Sequence, residues 1–309
     1  ALYSASGGIA TIVITDTLQT ALMLTATSMA LYFVGREILS EGQGLWSYIS
    51  SSDQFYFMEE GTARAWWKQV LGGSSIAVAM TGLDQDMMQK NLTVRTLRGA
   101  QKNMILLGIT LIFVNALFLS LGVVLSDYAA MASITETGDK MFAAVATSSA
   151  MPPVLGAVFF LGLLAAAFSS ADSALASLTT AFCVDFLGFE GEGSTTNRNQ
   201  VYVAFMAVIL AVMFGIYNLQ EETIISTLFT AAGYTYGPLL GLFALALTTN
   251  RTISHWGVLA IAIAAPVLSY GLSLWAPTLG YTIGFELLLY NGAITYVGAW
   301  LISQAPLPI

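Results

Sequence analysis

The stretch from Phe159 to Asp185, FFLGLLAAAFSSADSALASLTTAFCVD, constrains this chain more than any other. It has the length and apolarity of a membrane-spanning helix, since about 20 apolar residues cross the hydrocarbon core. Yet its middle carries Ser169, Ser170, Asp172 and Ser173, a cluster of oxygen-bearing side chains. At about 3.6 residues per turn, Ala166, Ser169, Ser170, Ser173 and Ser177 share one face. Asp172 lies about a sixth of a turn from Ser169, on the border of that stripe. A carboxylate near mid-membrane costs about 2.5–3.5 kcal/mol on insertion scales, so it marks a functional pathway. Clustered hydroxyls with small neighbours suit a desolvated hard cation, whose water shell they can replace. The plainer alternative is close helix packing, with the serines bonded back to their own carbonyls. That alternative covers the serines and leaves the aspartate unexplained.

Of the 309 residues, 56% are hydrophobic and only 9% are charged. A soluble domain is about 25% charged. The apolar runs are about 20 residues long, not the roughly 10 of barrel strands, so the fold class is an all-α integral membrane protein in a lipid bilayer. In a membrane protein the net charge of −8 says little about nucleic acid, but there is no basic patch to meet phosphates, so no nucleic-acid partner is expected. Cys183 is the single cysteine, which excludes an internal disulfide framework and a cysteine metal cluster. The lone His255 sits by a helix start and is assigned no role. No organic cofactor is expected. The chain opens on Ala1, not Met, a few residues before its first apolar run, and reads as lacking its beginning.

Eight spanning segments are expected, at 8–34, 65–83, 104–125, 154–187, 201–217, 222–247, 255–274 and 282–302, forming one transmembrane domain. The first contains Asp16, a second carboxylate inside an apolar run. Its plain alternative is pairing with a basic residue across the inner interface. The sixth reads as interrupted: helix from Glu222 to Ala232, a break at Gly233–Pro238, and helix again from Leu239. The loop at 35–64 holds Glu37, Glu41, Asp53, Glu59 and Glu60 and reads as solvent-exposed. Glu136–Ala150 reads as holding a short outer helix, and Glu286 as facing water near the outer edge. Lys90, Arg95, Arg98 and Lys102 form the densest basic cluster, which the positive-inside rule places in the cytoplasm. Arg198 and Arg251 join them inside, against Arg36, Arg64, Lys68 and Lys140 outside.

These features together resemble the sodium:solute symporter family. Tyr3-Ser4 through Gly7-Gly8 to Thr15-Asp16-Thr17-Leu18-Gln19 resembles the lead-in to its fifth core helix. Asp84-Gln85 followed by Met88-Gln89 resembles the exit from its sixth. Ala166, Ser169, Ser170 and Ser173 resemble its eighth, and Tyr236-Gly237-Pro238 the break in its tenth. The resemblance implies part of a leucine-transporter-like core of inverted repeats, with ions and solute near the midplane, plus two extra helices. The first core helix and its carbonyls would lie outside this chain.

What the resemblance implies is a sodium-coupled symporter of the cell inner (plasma) membrane that imports a small organic solute, and not an enzyme. Ala166, Ser169 and Ser170 match the common sodium site. Asp16 matches the carboxylate of a second sodium, with Ser169 and Ser173 as partners. Asp172 stands where two-sodium members have serine, which implies either a more anionic ion site or a proton carrier. Met80, Thr81, Phe229, Thr230 and Tyr234 are the solute-site candidates, with packing as the alternative for the last three. The sugar-recognition pattern is absent at these places; a sugar, an amino acid and an organic or sialic-acid-like anion all stay open. Three rivals stand beside this reading. One is a proton-coupled symporter of the same fold. Another is a transporter-like solute sensor, whose mark would be a soluble signalling domain. The third is an intramembrane aspartyl protease, against which neither aspartate has a Gly-x-Gly-Asp setting.

Overall fold

The computed structural model describes residues 4–40, 42–52, 65–188, 195–219 and 224–304. Tyr3, Glu41, Asp53, Glu59, Glu60, Arg64 and Glu222 therefore lie outside the described residues, as do the side chains before Val13. Apart from a single antiparallel bridge between Thr252 and Gln304, the described regular structure is helical. Helices occupy each of the eight expected segments. Among the described residues, six stretches are long and apolar enough to cross a membrane: Val13–Ile38, Leu97–Met131, Pro153–Phe186, Arg198–Gly215, Leu228–Thr248 and His255–Leu279. The chain forms two compact units, 1–55 with 89–222 and 56–88 with 223–309.

In the first unit, α1 (Ser4–Ile38) and α7 (Pro153–Ala181) form the principal pair. They run antiparallel, with Ala26 opposite Gly162 and Asp16 opposite Ser169. Gly162 permits this approach, because a Cβ there would come within 2.8 Å of Ala26 Cβ. Pro153 opens α7 at its first turn, where the missing N–H has no intrahelical partner to lose. A π-helical turn, Phe182–Phe186, extends it. Helix α5 (Leu97–Met131) starts at Thr96, whose hydroxyl accepts from the Gly99 N–H at 3.1 Å. The apolar core lies at one end of this unit. There Ala30 and Val34 of α1 meet Val124, Leu125 and Tyr128 of α5, Val145 of the short helix α6 (Met141–Ala146), and Leu155. Helix α6 falls inside the expected outer helix. The short α2 (Leu45–Ser51) and the apolar α8 (Thr195–Leu219) complete the unit.

In the second unit, α3 (Trp66–Gly82), α9 (Ile224–Thr248), α10 (His255–Trp275) and α11 (Leu287–Ile302) pack together. The expected interruption of the sixth segment does not occur: α9 runs unbroken through Pro238. Proline removes the bond to the carbonyl four residues back, which here is Tyr234. Asn291 of α11 replaces it, donating from Nδ2 to the Tyr234 carbonyl at 2.8 Å and to the Gly233 carbonyl at 3.0 Å. The amide reaches those carbonyls because Gly237 has no side chain; a Cβ there would overlap Asn291, and one at Gly241 would overlap the Gly292 carbonyl. A groove of small residues four apart thus seats α11, and its buried amide keeps α9 whole.

Candidate functional site

Asp16 faces α7 from α1, and three side chains converge on it or beside it. Ser169 donates its hydroxyl hydrogen to Asp16 Oδ1 at 2.7 Å. Lys90, near the end of α4 (Gln85–Leu92), donates to Asp16 Oδ2 at 3.0 Å and to Ser173 Oγ at 2.8 Å. Ser169 and Ser173 are one turn apart, so both hydroxyls project to the same side. Ser169 and Ser170 are the two central residues of the span Pro153–Phe186, which puts the cluster halfway along it. Asp172 is 4% exposed on the same helix.

The serine stripe is therefore split. Ser169 and Ser173 lean toward α1 and are drawn into the cluster, while Ser170 is exposed and Ala166 half-buried. The structure brings together Asp16, Ser169 and Ser173 from the expected set, with Asp172 buried nearby in sequence. It also supplies Asp16 with a basic partner, as the plainer reading expected, though the partner binds through the serine cluster. The sequence places Lys90 only in the cytoplasmic basic cluster. Its signal was its place directly after Met88-Gln89, ahead of the other basic residues.

The solute-site candidates belong to the second unit. Phe229 packs edge-on against Phe285 with ring centroids 5.3 Å apart. Tyr234 shares a hydrogen bond of 3.1 Å with Ser273 and sets its ring against Tyr270. Met80 and Thr81 are half-buried at the end of α3, and Thr230 is exposed. Two of the quoted motifs meet here: Tyr236 donates to Asp84 Oδ2 at 2.7 Å, and Asp84 Oδ1 accepts the Asp86 N–H at 2.9 Å, capping α4.

A second lysine–carboxylate pair lies in this unit. Glu286 does not face water: it is 2% exposed, and Lys68, counted above as an outer charge, is 4% exposed. Their charges are 3.8 Å apart. Lys68 also donates to the Thr282 carbonyl at 2.5 Å and lies 3.9 Å from the centroid of the Tyr281 ring. Tyr281 donates to Glu286 Oε1 at 2.9 Å and shares a hydrogen bond with Tyr290. Burial, then these bonds to Tyr290 and Glu286, push the Tyr281 phenol above its ordinary range. Sequence reasoning missed this cluster, because an acidic residue near a helix start ordinarily faces solvent.

Long apolar helices, a carboxylate and hydroxyls at mid-span, and a buried charge pair define a multi-pass helical membrane protein. The sequence profile of the sodium:solute symporter family matches residues 1–264, from α1 into α10. The chain belongs to the sodium:solute symporter family. Members of that family are solute symporters, typically driven by sodium. Among curated proteins, none matches the chain.

Proposed function

We propose that this protein is a sodium-coupled secondary symporter that imports a small organic solute across the plasma membrane by alternating access. In this reading α3 and α11, at 17 and 16 residues, complete eight crossings. Sodium is held by Asp16, Ser169 and Ser173, with Asp172 adding negative charge and Ala166 and Ser170 serving the common site. The observation that carries the reading is the convergence of a carboxylate and two hydroxyls halfway along α7, where they already hold a cationic group. Sodium bound there favours one conformation by its differential affinity, and rocking of helix bundles then exposes ion and solute to the other side. Met80, Thr81, Phe229, Thr230 and Tyr234 serve the solute, which is a sugar, an amino acid or an organic anion.

The test is the melting temperature of the intact protein against sodium, with potassium holding ionic strength constant. A ligand at about 100 times its dissociation constant stabilises the folded state by about 2.7 kcal/mol. The expected result is a sodium-specific rise that Asp16→Asn and Ser169→Ala weaken; equal melting in the two salts would end the sodium reading. The burial of Asp172 favours a second reading, proton coupling through that carboxylate. Uptake that survives replacement of sodium by choline but follows the pH gradient would select it.

A further inference from the structure

We propose that the ammonium of Lys90 is a tethered occupant of the ion site: it holds Asp16 and Ser173 while sodium is away, and sodium can bind those oxygens only when it leaves. The inference rests on the sodium reading above. It starts from identity of atoms. Asp16 Oδ2 and Ser173 Oγ lie 3.0 and 2.8 Å from Lys90 Nζ, and both are oxygens that the ion would take. The third, Ser169 Oγ, is bonded to the other oxygen of the same carboxylate. The Asp16 carboxylate thus already faces a cation, and a second cation beside the first would meet a like charge.

The cluster is also built so that the lysine can go. Lysine is a compact charge on a flexible stem, unlike the planar fork of arginine. Lys90 reaches in from the short α4, whereas the α1–α7 pair is fixed by Gly162 on Ala26 and by the distant apolar core. Its side chain keeps 28% exposure, so the ammonium is not sealed into the cluster. The serines need little rearrangement. A hydroxyl that donates its one hydrogen keeps lone pairs, so Ser169 can bond Asp16 and an ion together, and Ser173 already acts as an acceptor. The apparent affinity of a site is its intrinsic affinity scaled by the fraction that is competent to bind. Occupation by Lys90 therefore weakens apparent sodium binding and makes α4 report whether the ion is present.

Two measurements on the intact protein test this. The first titrates melting temperature with sodium against potassium in the native protein, Lys90→Gln and Lys90→Arg. Removing the competing charge should lower the half-effect sodium concentration by about fivefold in Lys90→Gln, while Lys90→Arg stays near the native value. The second needs no variant: acylation of Lys90 by an amine-reactive reagent, read by mass spectrometry, should rise in sodium and not in potassium, with Lys68 as the internal comparison. A sodium-stabilised native protein in which Lys90→Gln leaves the midpoint unchanged or raises it, and Lys90 labelling ignores sodium, overturns the inference and leaves the sodium site standing. Equal melting in sodium and potassium for native protein and variants alike overturns both.

Discussion

The two lysine–carboxylate pairs, one in each compact unit, are built on opposite principles. Lys90 and Asp16 make the shorter contact, 3.0 Å against 3.8 Å for Lys68 and Glu286. Yet the longer pair is the one locked in place. Both its members are almost wholly buried, a backbone carbonyl and an aromatic ring hold the ammonium, and a tyrosine holds the carboxylate. Gly72 presses on the backbone of Phe285 and Glu286 so closely that a Cβ would come within 2.7 Å of it. The pair in the first unit has serine hydroxyls as neighbours and partial exposure on both sides. Distance alone ranks the pairs wrongly, because burial and auxiliary partners decide what happens when a member is removed.

The largest expected effect therefore belongs to the second unit. Lys68→Met leaves the Glu286 carboxylate buried, with an Oε2 that already has no partner among the described residues. Breaking a buried pair from one side costs about 3–5 kcal/mol. A large fall in melting temperature in potassium is expected, with the sodium increment on top unchanged. Adding Glu286→Leu should recover most of the loss, since two apolar residues remove the stranded charge. A single variant as stable as the native protein would show that Glu286 does not need its lysine.

Next in size is the effect of Asp16→Asn, which should abolish up to about 2.7 kcal/mol of sodium stabilisation at saturating ion. Its melting in potassium should change by about 1 kcal/mol or less, because a partly exposed pair contributes little. A variant that lost stability equally in both salts would make Asp16 a packing residue like Glu286, and the contrast between the units would collapse.

A smaller effect separates the pairs by pH. The Tyr281 phenol is held above its ordinary value, by burial first and then by Tyr290 and Glu286. The unfolded chain thus releases that proton near the ordinary tyrosine value of about 10 while the folded protein keeps it. The stabilisation from Tyr281 is complete below that pH and is lost as pH rises through and above it. Tyr281→Phe should flatten the decline of melting temperature above about pH 10. An unchanged alkaline slope would remove Tyr281 from the lock.

How much of this was legible follows from what each signal encodes. The helices were, because long apolar runs encode long helices directly; Asp16 and the serines stood out singly, because polar groups inside such runs are costly, and only the family resemblance grouped Asp16 with Ser169 and Ser173. The unbroken α9 was not: Pro238 and its glycines spell a break locally, and the amide that repairs it sits far along the chain at Asn291. An asparagine inside the apolar run of α11 was the only trace. The partners Lys90 and Lys68 were hidden for a related reason. Basic residues near helix ends are ordinarily solvated, and only tertiary structure brings a carboxylate to them.

The smallest effect is the one that most sharpens the comparison. Lys90→Gln, measured in potassium, should melt within about 1 kcal/mol of the native protein, although it deletes the shorter of the two ion pairs. Asp16 keeps the Ser169 hydroxyl and its side chain is 21% exposed, so its charge is not sealed in as it is at Glu286. The glutamine amide retains hydrogen-bond donors for Ser173 while removing the positive charge. Melting of Lys90→Gln and Lys68→Met side by side in potassium makes the comparison without any ligand. If Lys90→Gln lost as much as Lys68→Met, the ammonium would be a fixed part of the α1–α7 packing and could not yield its place to an ion.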